Sequence, residues 1–329
     1  MKKLLVLTLL LVTLLVACDT EAMRAPVDPE NTETVLVTVP SGATTTSIAN
    51  LLKEENLIQG VTVFKMAAKD LGAEGKMQAG DYRFSQSMTT DEIIEKLVAG
   101  EVEVNTFTFT IPEGFEIRQI ADRLAEMDLV DRDTFMALTT SGTFDYKFLD
   151  DPYNLEGFLF PDTYEMRVGA SEEEIIHRML MRFDEVFVEA YYGRVEELGM
   201  TMNELVTLAS IVEREAQAKE EFALVASVFH NRINIDMMLQ SCATVQYILG
   251  ERKERLTYDD IATDSPFNTY INNGLPPAPI ASPGKLALES ALYPAETDYF
   301  YFVVKKGGNG THVFSRTLDE HNRAKEENR

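Results

Sequence analysis

The stretch VEREA, residues 212–216, sets two carboxylates two positions apart at the end of an apolar run that begins at Leu205. Paired carboxylates can divide proton-transfer work, one protonating a leaving group while the other serves as base or nucleophile. Helical periodicity separates these two. At about 100° per residue, Glu215 falls inside the arc of Leu205, Leu208, Ile211 and Val212, while Glu213 falls on the polar flank beside Val206 and Ser210. Glu213 is therefore expected at the surface and Glu215 on the buried side. Burying a charge is costly unless it is paired or neutralised. A carboxyl in that setting has its pKa raised, the condition for a general acid near neutral pH. Periodicity leaves a second reading equally open: a structural Glu215 paired with a buried arginine such as Arg232 of HNRI.

Other chemistries have little footing. His177, His230, His312 and His321 are scattered without ligand spacing, and Cys18 and Cys242 form no cluster. There is no Gly-rich phosphate loop, and Ser210 has no evident histidine partner. No metal or cofactor is expected. The formal charge of −24 argues against sequence-independent nucleic-acid binding, which relies on Lys and Arg. Solvation of the surface accounts for most of that charge.

The elements that must position the candidate acid follow from pattern. With 329 residues, 45% of them hydrophobic, the chain has material for two or three domains with substantial cores. TVLVTVP alternates as a strand ending at Pro40, and a Gly turn then leads into a helix carrying Ile48, Leu51 and Leu52. The unit recurs: VTVPSGATTTSIANLLKEENLI is echoed by FTIPEGFEIRQIADRLAEMDLV, pairing Pro40 with Pro112 and Gly42 with Gly114. Between the copies come a turn and strand at 79–84, then a helix with a cap at Thr90 that ends near Gly100. Beyond them, NLEGFLFPDTYEM interrupts helical material, with helices expected at 171–197, 201–218, 219–236 and 285–292 and a late strand at 298–306. The class is α+β, a helical core carrying a small sheet.

The first eighteen residues are a targeting signal. MKKLLVLTLLLVTLLVAC places an apolar run between two lysines and Cys18, too short for the roughly 20 residues a spanning helix needs. LVAC resembles a bacterial lipobox, in which the cysteine is lipidated. An uncleaved short anchor is the rival reading, and both put the body outside the cytoplasm. Residues 19–33, acidic and broken by Pro26 and Pro29, read as a flexible tether. With Cys18 lipidated no internal disulfide is possible, and Cys242 is expected as a small buried hydrophobe.

A series of blocks in order, ASIVEREA, VASVFHNRI, MMLQSCATVQYILG, SPFNTYINNGLPPAPIASPG and ALYPAETDYFYFVV, resembles the MltG (YceG-like) family of endolytic murein transglycosylases. GDYRF, EGFLFPDTY and THVFSRTLDEHNRA match family blocks as well, and the resemblance spans about residues 34–325. It implies a LysM-like module at 34–103 and a mixed, mainly helical catalytic domain at 104–329 with a lysozyme-like active site. It also implies endolytic cleavage of the β-1,4 bond between N-acetylmuramic acid and N-acetylglucosamine in nascent peptidoglycan. The implied partners are glycan strands, the peptidoglycan synthases of the membrane-associated wall machinery, and the membrane reached through the lipid anchor.

The family's catalytic glutamate, second of the pair in its block, falls on Glu215. In such a lyase the muramic acid's own 6-hydroxyl closes onto C1 to give a 1,6-anhydro end, so one carboxyl can act first as acid and then as base. The matching blocks suggest Gln240, Thr244, Asn268 and Tyr270 as substrate-binding residues, with Tyr270 also placed to orient Glu215. Capping or loop satisfaction is an equally open reading for Gln240 and Thr244. Glu156 and Asp162 are conceivable auxiliary carboxylates, though a turn fastening two helices explains them as well. The family often carries Asp after LQ[ST], where this chain has Cys242. A glycan-binding scaffold and a hydrolytic muramidase are the alternative functions.

Overall fold

Alternating side chains in β1 (Thr34–Val39) turn Val37 and Val39 inward and leave Leu36 and Thr38 outside. In the computed structural model, which describes residues 22–103, 105–149, 154–253 and 255–328, β1 pairs antiparallel with β2 (Gly80–Ser85), Val37 opposite Tyr82. Cys18 and the rest of the targeting segment lie outside the described residues. Between the strands run α1 (Thr45–Glu54) and α2 (Val61–Asp70), and α3 (Thr90–Ala99) follows. Ile48, Ala49 and Leu52 from α1, Phe64 from α2, and Ile93, Ile94 and Leu97 from α3 close one core over Tyr82 and Phe84. Burying each large apolar side chain contributes roughly 1.5–3 kcal/mol. This unit ends at Asn105.

Two expectations change here. The cap of α3 is Thr89, not Thr90, because only Thr89 completes a capping box with Glu92; Gly100 closes the helix in the left-handed conformation. The expected tether is docked in its described part. Asp28 N–H donates to Gln86 O, Asn31 bonds the Gln86 side chain, and Arg24 ion-pairs with Asp70. Polar composition signalled a tether, but these side chains find partners on the unit they were expected to leave.

The second unit, Thr106–Arg329, begins with the repeat: β3 (Thr106–Thr110), α4 (Ile117–Glu126), α5 (Arg132–Ser141) and β4 (Thr163–Arg167), with β3 antiparallel to β4. Next come α6 (Glu172–Val186) and α7 (Glu189–Glu197). The single helix expected at 171–197 breaks because Phe187 leaves helical geometry to pack, 1% exposed, between Phe183 and Tyr192. Then α8 (Met202–Glu215) opens on a Thr201–Glu204 capping box and buries every residue from Leu205 to Val212. Around it pack α9 (Phe222–Asn234), α10 (Cys242–Leu249) and, past the short α11 (Tyr258–Ile261), α12 (Lys285–Leu292). A hairpin of β5 (Tyr301–Val304) and β6 (His312–Ser315) and the helix α13 (Leu318–Glu327) complete the unit. The class is α+β, but the expected single small sheet is three separate antiparallel pairs among the described residues.

Candidate active site

Glu215 is the last residue of α8, where the chain turns extended at Ala216. It is half-buried, and its Oε1 accepts from Ser241 Oγ at 2.5 Å and from the Ala243 amide at 3.2 Å. Ser241 is the N-cap of α10, so the carboxylate sits at a helix N-terminus, whose unpaired amides and dipole favour an acceptor. Oε2 makes no hydrogen bond to the described residues. Arg232, the alternative partner, spends its guanidinium on backbone carbonyls, those of Phe300 at 2.7 Å, Leu239 at 2.6 Å and Met238 at 3.3 Å. It ties Phe300, the residue before β5, to the loop carrying Gln240 and Ser241 and forms no ion pair with Glu215. The structural-pair reading of Glu215 therefore has no geometric support.

Glu213 overturns its surface assignment. It is half-buried and accepts from the Gly284 amide at 3.0 Å. Burial, reinforced by Glu113 nearby, pushes its carboxyl up to about 7 against that hydrogen bond and Arg214. A helical wheel assumes one buried face, whereas α8 is enclosed on all sides along its middle, so the polar flank is also interior. Glu213 faces α12 and does not line the cleft at Glu215.

That cleft has two adjoining arms. One, of about 460 Å³, is lined by Arg214, Gln217, Gln246, Arg252 and His312; the other, of about 290 Å³, by Arg232, Gln240, Tyr270, Tyr301 and His321. Glu215, Cys242, Phe302 and Val303 line both, so the carboxylate stands at their junction. Among the described lining residues Glu215 is the one carboxylate. Tyr270 and Tyr301 supply rings of the kind that pack on sugar faces.

The predicted substrate residues divide by exposure. Gln240 is exposed in the second arm and held at φ 49°, a left-handed backbone uncommon outside glycine, with its N–H bonded to Thr269 O. Tyr270 lines the same arm, but its hydroxyl meets Cys242 Sγ at 3.1 Å, not Glu215. Its pKa is raised, first by burial. Thr244 and Asn268 are both 0% exposed. Thr244 Oγ1 bonds Ser241 O and Thr269 Oγ1, while Asn268 holds the Ile261 and Thr263 carbonyls and receives the Tyr270 amide. Their side chains are consumed in fastening the loops that present Ser241 and Tyr270. Cys242 is exposed in the cleft, not buried as expected.

Glu156 and Asp162 lie elsewhere. Glu156, 4% exposed, takes the Ile117 amide at the start of α4, and burial pushes it up to about 8. Asp162 pairs with Arg182 at 2.7 Å. Neither lines the cleft. Residues the pattern did not single out include Ser241, Thr269 and Arg214. Ser241 carried a readable signal, a serine just before a helix start. Arg214 carried none, because its partner Glu116 is distant in sequence: the two side chains, 3% and 4% exposed, pair at 3.2 Å.

Fold and site together define an α+β protein with an open cleft built around a single carboxylate. The sequence pattern of the YceG-like family matches residues 37–327, and the chain belongs to that family. It is 37% identical to the endolytic murein transglycosylase of Bacillus subtilis over 93% of this chain and 88% of that protein. It is 31% identical to the endolytic murein transglycosylase of Streptococcus pneumoniae strain D39 over 91% of this chain and 59% of that longer protein. A YceG-like protein of known structure from Listeria monocytogenes superposes with a TM-score of 0.60 at 34% identity, covering 88% of this chain and 99% of that one.

Proposed function

We propose that this protein is an endolytic lytic transglycosylase that cleaves the muramic acid to glucosamine bond within peptidoglycan strands, with Glu215 as its acid and then its base. The observation that carries the reading is the solitary carboxylate: Oε1 is held by Ser241 and the Ala243 amide, and among the described residues Oε2 has no partner and no second carboxylate lines either arm. Hydrolysis of a glycoside ordinarily needs a second carboxylate, as nucleophile at about 5–5.5 Å or as base at about 6.5–9.5 Å. Intramolecular attack by the 6-hydroxyl needs none. Glu215 protonates the bridging oxygen as the C1–O bond breaks. The carboxylate then takes the 6-hydroxyl proton as that oxygen bonds to C1, which returns the enzyme to its starting state. The names of the B. subtilis and S. pneumoniae relatives support the same substrate.

Lipidation at Cys18, supported by the LVAC sequence, would hold the catalytic unit on the outer face of the cell membrane, near the synthases that supply nascent strands. Among the described residues no helix is long and apolar enough to cross a membrane. Mass spectrometry of digested strands is the test: 1,6-anhydro ends are expected. Reducing ends would indicate a hydrolytic muramidase, and an absence of products a glycan-binding scaffold. Glu215→Gln is expected to lower kcat by about 10³-fold or more, and retained activity would remove Glu215 from the mechanism.

A further inference from the structure

The chain has 54 acidic residues against 30 lysines and arginines, yet the cleft inverts that balance. Arg214, Arg252 and Lys253 line one arm, Arg232 and Lys325 the other, and Glu215 is the single acid lining both among the described residues. Most of these cations are already engaged. Arg214 pairs with Glu116, Lys253 with Asp260 at 2.8 Å, and Arg232 with backbone carbonyls. Arg252 and Lys325 are both exposed and form no ion pair with the described residues, so each arm presents one uncommitted positive charge.

We infer that Arg252 and Lys325 bind carboxylates on the peptide branches of the glycan strand, one branch in each arm. The inference rests on the proposed reading of the site and extends it to what the enzyme selects. In a strand of alternating sugars the peptide is carried by every second one, on the muramic acid. When the bond at Glu215 joins a muramic acid on one side to a glucosamine on the other, the next muramic acid lies one sugar beyond that glucosamine. A peptide-bearing sugar therefore falls on each side of the scissile bond, matching one free cation per arm. Charge-assisted contacts at such exposed positions are modest individually and are screened by salt. Against the negative field of the rest of the molecule, they favour strands that still carry their peptides over bare glycan.

Binding by the full chain carrying Glu215→Gln, which leaves the strand uncut, tests this directly. Uncrosslinked strands with intact peptides are compared with the same strands stripped by an amidase and then capped as neutral methylamides, because the cleavage itself leaves a carboxylate on each muramic acid. The intact strands are expected to bind roughly tenfold more tightly at low salt, with the advantage shrinking as salt rises. Adding Arg252→Gln or Lys325→Gln should each weaken intact strands roughly two- to fivefold and leave stripped strands unchanged. Because the readout is a ratio between two ligands of one variant, partial loss of folded protein cancels. An unchanged ratio in both variants would overturn the inference. So would stripped strands that keep a terminal lipid diphosphate binding as well as intact ones, which would assign the cations to phosphate. The reading of the reaction fails separately, if the wild-type protein yields no anhydro ends from either strand.

Discussion

In the first copy of the repeated strand-turn-helix unit, the residue that caps the helix is Thr44, exposed and bonded to the Ser47 amide. In the second copy the same position is Glu116, 3% exposed and paired with Arg118 and Arg214. The backbones agree closely. Helix α1 spans Thr45–Glu54 and α4 spans Ile117–Glu126; Gly42 and Gly114 have φ of 76° and 75°; Asn56 and Asp128 both have 56°. The inward triplets Ile48, Ala49, Leu52 and Ile120, Ala121, Leu124 are buried alike. What differs is the surroundings of the turn. Around Pro40 and Gly42 there is a cavity of about 190 Å³. Around Gly114 the Ser282 carbonyl takes its amide, Ser282 N–H bonds Phe115 O, and Arg214 donates to the Gly114 carbonyl. One scaffold thus ends in an open turn in one unit and in an anchor for the helix bearing Glu215 in the other. A repeated pattern specifies shape, and the residue at a single cap decides whether that shape is joined to the site.

Glu116→Ala is the strongest way to break the comparison. Removing one partner of a buried pair leaves Arg214 uncompensated, and a loss of about 3–5 kcal/mol is expected for the second unit. Turnover should fall as well, because Arg214 precedes Glu215 directly. Denaturant unfolding and anhydro-product assays check both. Thr44→Ala at the equivalent position should cost about 1 kcal/mol and leave turnover alone.

A pH series sharpens the contrast. Glu156 and Glu213 have an ordinary value of 4.5 and are pushed up to about 8 and about 7 in the fold. The folded state therefore holds protons that the unfolded chain releases. Their contribution is complete below about pH 4.5 and is lost as pH rises through 7 and then 8. The thermal midpoint of the second unit is expected to decline over that range. Glu156→Gln should flatten the decline, leaving the variant relatively more stable at pH 8.5 than at pH 5. An unchanged profile would mean that these carboxyls ionise freely.

The smallest difference between the two copies concerns their turn glycines. Gly42→Ala and Gly114→Ala each place a Cβ on a left-handed residue, costing roughly 1–2 kcal/mol. An added Cβ at 42 meets no atom within 4 Å, and one at 114 meets Arg214 Cδ at an ordinary 3.5 Å. Nearly equal losses are expected in denaturant unfolding. A much larger loss at Gly114 would show that the second turn tolerates no displacement of Arg214.

The sequence by itself determined the repeat, with a helix after each Gly turn, the boundaries of α12, and the choice of Glu215 over Glu213 as the residue to examine. Those features are written in local periodicity, in turn glycines and in the order of family blocks, all of which survive without knowledge of distant contacts. Tertiary structure alone decided the rest. Glu213 is interior because α9, α10 and α12 enclose α8 where a wheel allows one buried face. Thr244 and Asn268 are loop fasteners, and Ser241 holds the carboxylate, because three loops distant in sequence converge there. Arg214 matters through Glu116, on the far side of a repeat whose first copy offers only a threonine. Burial and hydrogen-bond partnership are properties of what surrounds a residue, and those surroundings are assembled from segments that no local pattern relates.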